Sequence, residues 1–132
     1  MIGIGLDILD IRRIEKTLLR FGDRFKRRIF TKSEIENCEK RRLSTECFAK
    51  RFAAKEAAAK ALGAGFKNGV YWKDLEVVNL PSGKPSINFY GKSKKQLEFL
   101  MPRNNIPVVN LSITDEFPYA QAIVTINSSK AW

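Results

Sequence analysis

The chain has 132 residues, 44% of them hydrophobic, and its 24 Lys and Arg against 14 Asp and Glu give a formal charge of +10 with no histidine. That apolar content excludes a disordered chain, and a single domain near this length buries roughly two-thirds of its unfolded surface, enough for a core without disulfide staples. The missing histidine excludes His-based triads, His metal sites and His-containing zinc fingers, while the positive balance points to acidic partners or phosphates.

Residues 2–9 read as a β-branched strand ending at Asp7–Asp10. From Ile11 the period changes. Ile11, Ile14, Leu18 and Phe21 follow a helical repeat, with Arg and Lys on the opposite face. Thr31-Lys32-Ser33-Glu34 matches a capping box and opens a second, short helix. Ser44 or Thr45 starts the longest helix, CFAKRFAAKEAAAKALG, rich in strong helix formers. Gly63 is its expected stop, with the Gly65 region continuing as loop.

Strands follow at 75–80 and 85–90, joined by the hairpin loop Pro81-Ser82-Gly83-Lys84. Residues 92–100 read as a helix. Residues 107–114 and 119–127 alternate as strands that pair across a turn at 115–118. One strand, a run of helices, then further strands with one more helix is an α+β pattern, expected as a single domain over 1–132.

Nothing approaches the ~20 apolar residues of a membrane helix, and MIGIGLDIL lacks the basic start and the length of a signal peptide. Cys38 and Cys47 have no CxxC spacing and are expected as thiols of a reducing, cytoplasmic compartment.

Without histidine or a cysteine dyad, an activated nucleophile has no support. Gly3-Ile4-Gly5 is a poor dinucleotide fingerprint, since no third glycine follows and no helix begins there. What remains is hard-cation chemistry, in which carboxylates hold magnesium against phosphates. Asp7, a carboxylate inside an apolar strand, is the first candidate; its alternative role is to cap the following helix. Glu56 is the second. It stands four residues before Lys60, the spacing of an ordinary surface ion pair, yet small alanines clear space around it and Lys55 and Lys60 could reach a phosphate nearby.

Taken together, GIGLDI, RFAAKEAAAKALG and LSITDE followed by Tyr119-Ala120 resemble the holo-[acyl-carrier-protein] synthase family, the small 4′-phosphopantetheinyl transferases. Arg12-Arg13-Ile14-Glu15, Phe30-Thr31 before Glu34, and Gly83-Lys84-Pro85 extend the resemblance over nearly the whole chain. It implies a compact α+β fold, an antiparallel sheet with a long helix, that forms trimers with active sites at the protomer clefts. It implies an enzyme of fatty acid biosynthesis that moves phosphopantetheine from coenzyme A to a serine of apo acyl carrier protein, releasing adenosine 3′,5′-bisphosphate. Asp7 and Glu56 correspond to the magnesium ligands of such proteins. Lys60 corresponds to the lysine near the coenzyme phosphates, acting in catalysis with Glu56, and Gly83, Lys84 and Pro85 to the coenzyme-binding loop. Asp115 stands where many relatives have histidine. The serine proton would pass to a carboxylate or to a water that Glu56 orients.

Eight basic residues between Arg12 and Arg28 face only Glu15 and Asp23. Arg13, Lys16, Arg20 and Arg24 recur along one face if the first helix extends to Arg24, opposite Ile11, Ile14 and Leu18, with Arg27 and Arg28 extending the positive surface. Under the resemblance, this stripe, with Arg13, Arg20, Arg24 and Arg28 at its centre, docks the acidic helix of the carrier protein. The competing readings are a solvated face, a noncatalytic scaffold that oligomerises, or a small basic nucleic-acid-binding domain. Against the last, no RNA-binding signature occurs and the aromatic residues sit at core-like positions.

Overall fold

The computed structural model describes residues 1–63 and 70–131, so the loop expected around Gly65 lies outside the described residues. Strand β1 (Gly3–Asp10) pairs antiparallel with β5 (Tyr119–Lys130), whose other edge pairs with β4 (Asn105–Glu116), in the order β1-β5-β4. A separate two-stranded hairpin joins β2 (Leu75–Asn79) to β3 (Pro85–Phe89), and a short 3₁₀ turn, Trp72–Asp74, precedes it. Among the described residues four α-helices fall between β1 and β2: α1 (Ile11–Phe21), α2 (Asp23–Ile29), α3 (Lys32–Glu39) and α4 (Ser44–Leu62). A fifth, α5 (Gly91–Phe99), follows β3. The α+β expectation holds. Among the described residues no helix is long and apolar enough to cross a membrane.

The core has two parts, with α4 contributing to both. Ala57, Ala58, Ala61 and Leu62 pack against Leu111, Val124 and Ile126 of the sheet and Leu75, Val77 and Ile87 of the hairpin. Its first turns meet Ile11, Ile14, Ile29 and Phe30. The capping box forms as read: Thr31 accepts from the Glu34 amide, and Glu34 accepts from the Thr31 amide. Gly63 ends α4 in the left-handed region at φ 75°.

Three expectations are corrected. The first helix does not run to Arg24, because Gly22 at φ 54° breaks it and places Arg24 and Arg28 on α2. Phe21, expected on the apolar stripe, is consequently left exposed at the end of α1. Cys38 and Cys47 are not free thiols but a disulfide: α3 packs on the start of α4 and brings their Cα atoms to 5.4 Å, within bridging reach.

Strand alternation gives the three-stranded sheet two different faces. Gly3, Gly5 and Asp7 turn toward α4, while Ile4, Leu6 and Ile8, with Ile106 and Val108 of β4 and Ile123 of β5, make an exposed apolar face on the other side.

The helix side is defined by very close approach. A Cβ on Gly5 would overlap the Ala57 carbonyl oxygen and stand 2.7 Å from the Ala61 amide nitrogen; one on Gly3 would overlap the Ala61 carbonyl oxygen. All of these are backbone atoms of α4 and cannot turn aside. Gly5→Ala should therefore cost about 3 kcal/mol, the upper range for overpacking a tight core. Urea unfolding checks this, and a wild-type midpoint would contradict it.

Candidate active site

Asp7 and Glu56 open into one cleft of about 390 Å³, walled by the end of β1, by α1, and by Phe25 and Phe52. Their meeting follows from the packing just described. Asp7 follows the two glycines on the helix-facing side of β1, and Glu56 precedes Ala57 on α4.

Lys60, one helical turn beyond Glu56, turns to Asp7. Its Nζ lies 3.2 Å from Asp7 Oδ1 and donates to the Leu6 carbonyl at 2.9 Å. The i, i+4 pairing expected between Glu56 and Lys60 is thus replaced by a pairing between helix and strand. Asp7 does not cap α1; Asp10 does, accepting from the Arg12 amide at 2.9 Å. The Arg12 side chain also donates to Asp10, and this bonding holds the Asp10 carboxyl down to about 2.

Glu56 has the reverse character. Partial burial and then the Asp7 carboxylate raise its proton affinity, and Lys60 partly offsets them. Two hard carboxylates that repel each other in a half-buried cleft suit a magnesium ion. Among the described residues no group of three His, Cys, Asp or Glu could hold a metal. Magnesium does not need such a cage, since it commonly takes one or two carboxylates and completes its shell with water and substrate phosphate.

Arg13 and Thr17 also line this cleft, with the Thr17 hydroxyl donating to the Arg13 carbonyl at 2.9 Å. Thr17, Phe25 and Phe52 escaped sequence reasoning. The available signal was that Thr17 is one helical turn beyond Arg13 and so shares its face. Phe52 is fixed by stacking on Trp72, with ring centroids 4.9 Å apart. A groove of about 240 Å³ adjoins, lined by Thr17, Phe21, Arg24, Phe25 and Arg28. Because Thr17 and Phe25 border both hollows, the basic groove runs into the carboxylate cleft. Arg20 lies over the Phe21 ring at 5.1 Å.

Other expected residues lie elsewhere. Lys84 and Pro85, beside Gly83 in the β2–β3 hairpin, border a separate hollow with Ser112, Ile123 and Thr125, so a single chain does not bring this loop to Asp7 and Glu56. Lys55 cannot reach a phosphate in the cleft, because it is buried on another side of α4 in an ion pair with Glu34. Asp115 lies 3.8 Å from Lys50 of α4.

The family described as the 4′-phosphopantetheinyl transferase superfamily matches residues 3–109. The holo-[acyl-carrier-protein] synthase of Chelativorans sp. is 50% identical over 128 residues, 97% of this chain and 96% of that protein. Among solved structures, the holo-[acyl-carrier-protein] synthase of Neisseria meningitidis superposes with a TM-score of 0.81 at 36% identity, covering 98% of this chain and 99% of its own. That of Helicobacter pylori, in complex with coenzyme A, gives 0.79 at 31% identity, covering 94% and 99%.

The electrostatics of Glu56 carry a measurable signature. Its carboxyl binds a proton more tightly in the folded chain, so its stabilising contribution is present below the ordinary glutamate pKa of 4.5 and lost as pH rises through the raised value. Metal-free Glu56→Gln protein should therefore melt above the wild type at neutral pH, with the gap closing below that pKa. A variant that melts lower at neutral pH would show that Glu56 is a stabilising surface charge.

Proposed function

The chain belongs to the holo-[acyl-carrier-protein] synthase family of 4′-phosphopantetheinyl transferases, and from that premise we propose that it transfers 4′-phosphopantetheine from coenzyme A to a serine of apo acyl carrier protein in a magnesium-dependent step of fatty acid biosynthesis. The observation that carries this reading is the cleft itself, where Asp7 of β1 meets Glu56 and Lys60 of α4 in a basic protein.

In this reading the serine hydroxyl attacks the phosphorus on the pantetheine side of the coenzyme diphosphate. The bond to the bridging oxygen breaks, and adenosine 3′,5′-bisphosphate leaves. Phosphoryl transfer needs little covalent help beyond positioning and neutralisation of charge. Asp7 and Glu56 would hold magnesium, which supplies neutralisation of the diphosphate oxygens when bound. Lys60, exposed at the cleft edge beside Asp7, would stabilise the leaving side, and Arg13 adds a second cation at the same mouth. The serine proton passes to a carboxylate of the cleft or to a water that Glu56 orients.

The same reading makes the protein a homotrimer. The exposed Ile4, Leu6, Ile8, Ile106, Val108 and Ile123 face is a patch of the kind that marks an interface. Ile8 also borders the carboxylate cleft, and Ile123 borders the hollow beside Lys84. Covering this face with neighbouring copies in a closed ring would let the Gly83-Lys84-Pro85 loop of one chain complete the coenzyme site of the next.

Mass spectrometry of apo carrier protein incubated with the enzyme, coenzyme A and magnesium should find one phosphopantetheine added. Asp7→Ala and Glu56→Ala should each cut the rate by orders of magnitude with the circular dichroism spectrum unchanged. Near-wild-type transfer by folded Glu56→Ala protein would sink the assignment.

The carrier protein itself is assigned to the groove of Phe21, Arg24 and Arg28, where cations flank an exposed ring. Exposed charges of this kind act mainly on association rate. Arg24→Glu/Arg28→Glu protein should show a higher KM for carrier protein, with a flatter salt dependence and an unchanged KM for coenzyme A. A rise in the coenzyme KM alone would assign these arginines to the nucleotide.

A further inference from the structure

The alanines of α4 set how near the helix comes to β1, but they offer little relief to fix its rotation or its height along its own axis. Methyl groups packed on glycine backbone make many dispersion contacts and no directional bond. The directional bonds are on another side of the helix. Lys55 is 0% exposed and uses all three ammonium protons there: on Glu34 Oε1 at 2.7 Å, on the Ile29 carbonyl at 2.8 Å and on the Trp72 carbonyl at 3.0 Å. Glu34 is 1% exposed and is itself held, accepting from the Thr31 amide on Oε1 and from the Val77 amide on Oε2, both at 2.8 Å. Bonds from α2, α3 and the 3₁₀ turn therefore converge on one side chain of α4, and β2 joins them through Glu34. The next residue along the helix is Glu56, which faces the cleft.

We propose that Glu34 and Lys55 are a positioning pair for the transfer reaction, which pins the rotation and axial height of α4 and so sets how far Glu56 stands from Asp7. This rests on the reading of the cleft as the active site. Neither residue lines the cleft, and neither touches substrate in this reading. Arg51, one turn earlier on α4, reinforces the pin: it donates to the Val77 carbonyl and, at 2.9 Å, to Asn37 Oδ1, so both peptide groups of Val77 are tied to the same assembly.

A buried ion pair is weak evidence for stability, since apolar replacement of both partners is often neutral, whereas removal of one alone is costly. That asymmetry separates positioning from structural support. The Glu34→Gln/Lys55→Met variant removes both charges, and Lys55→Arg keeps the pairing charge but enlarges the head group inside a closed pocket. Each is measured well below its own Tm, with kcat, the KM for coenzyme A and carrier protein, and Mn²⁺ affinity by electron paramagnetic resonance in the absence of substrate. In both, kcat should fall roughly tenfold to a hundredfold, the scale for misplacing a reacting group by about 1 Å, with both KM values unchanged and Mn²⁺ binding weakened. A folded variant that retains wild-type kcat and wild-type Mn²⁺ affinity overturns the proposal. If the double variant does not fold, Lys55→Arg decides alone by the same readings. If the wild type binds Mn²⁺ but transfers nothing, the functional reading fails, and Mn²⁺ affinity still tests the pair.

Discussion

The candidate site depends on a backbone-to-backbone approach. β1 and α4 come so close that a single methyl group on Gly5 has no place to go, because the atoms in its way are the carbonyl of Ala57 and the amide of Ala61. Glycine on the strand and alanine on the helix are the two smallest choices available, and both contribute less hydrophobic burial than larger residues would. What they provide is proximity. Asp7 lies two residues beyond Gly5, Glu56 one residue before Ala57 and Lys60 one before Ala61, so the charged groups inherit an approach of helix to strand set by residues that carry no chemistry.

Around that contact the molecule sorts its charges by environment. Asp10 and Arg12 satisfy each other at the surface, where Asp10 also caps α1. Glu34, Lys55 and Arg51 are buried, and every polar group among them is matched to a named partner. Glu56 combines partial burial with a like-charged neighbour, and its elevated proton affinity records the conflict. Titratable groups held in such a conflict inside a cleft are candidates for function, whereas satisfied ones are structural. This contrast makes Glu56, and not Lys55 beside it, the candidate for the chemistry.

What was legible in the sequence was local. The capping box of Thr31 and Glu34, the stop at Gly63 and the hairpin over Pro81-Ser82-Gly83-Lys84 each depend on residues within one turn of one another, and each formed as read. The break at Gly22 was less visible, because the hydrophobic period runs across it until a single positive φ interrupts the helix. Lys55 and Cys38 were misread for a related reason. Both belong to helices whose spacing describes one element, while their burial depends on which other elements pack there. A signal for Lys55 did exist: α4 is alanine-rich on nearly every face, and a helix without a broad polar side is largely buried. The pairing of Asp7 with Lys60 had no such signal, since it joins distant segments through tertiary packing alone.

Glu34 has a consequence for how the chain comes apart. Its one carboxylate serves the start of α3, the middle of α4 and the backbone of β2 at once. A partly assembled chain that has lost any of these elements, yet keeps Glu34 away from water, carries an ionised group with too few partners, and that state is disfavoured by desolvation. Fraying of the helical layer is therefore coupled to loss of the hairpin. Structure in this part of the molecule is gained or lost together, as one cooperative unit with few intermediate stopping points.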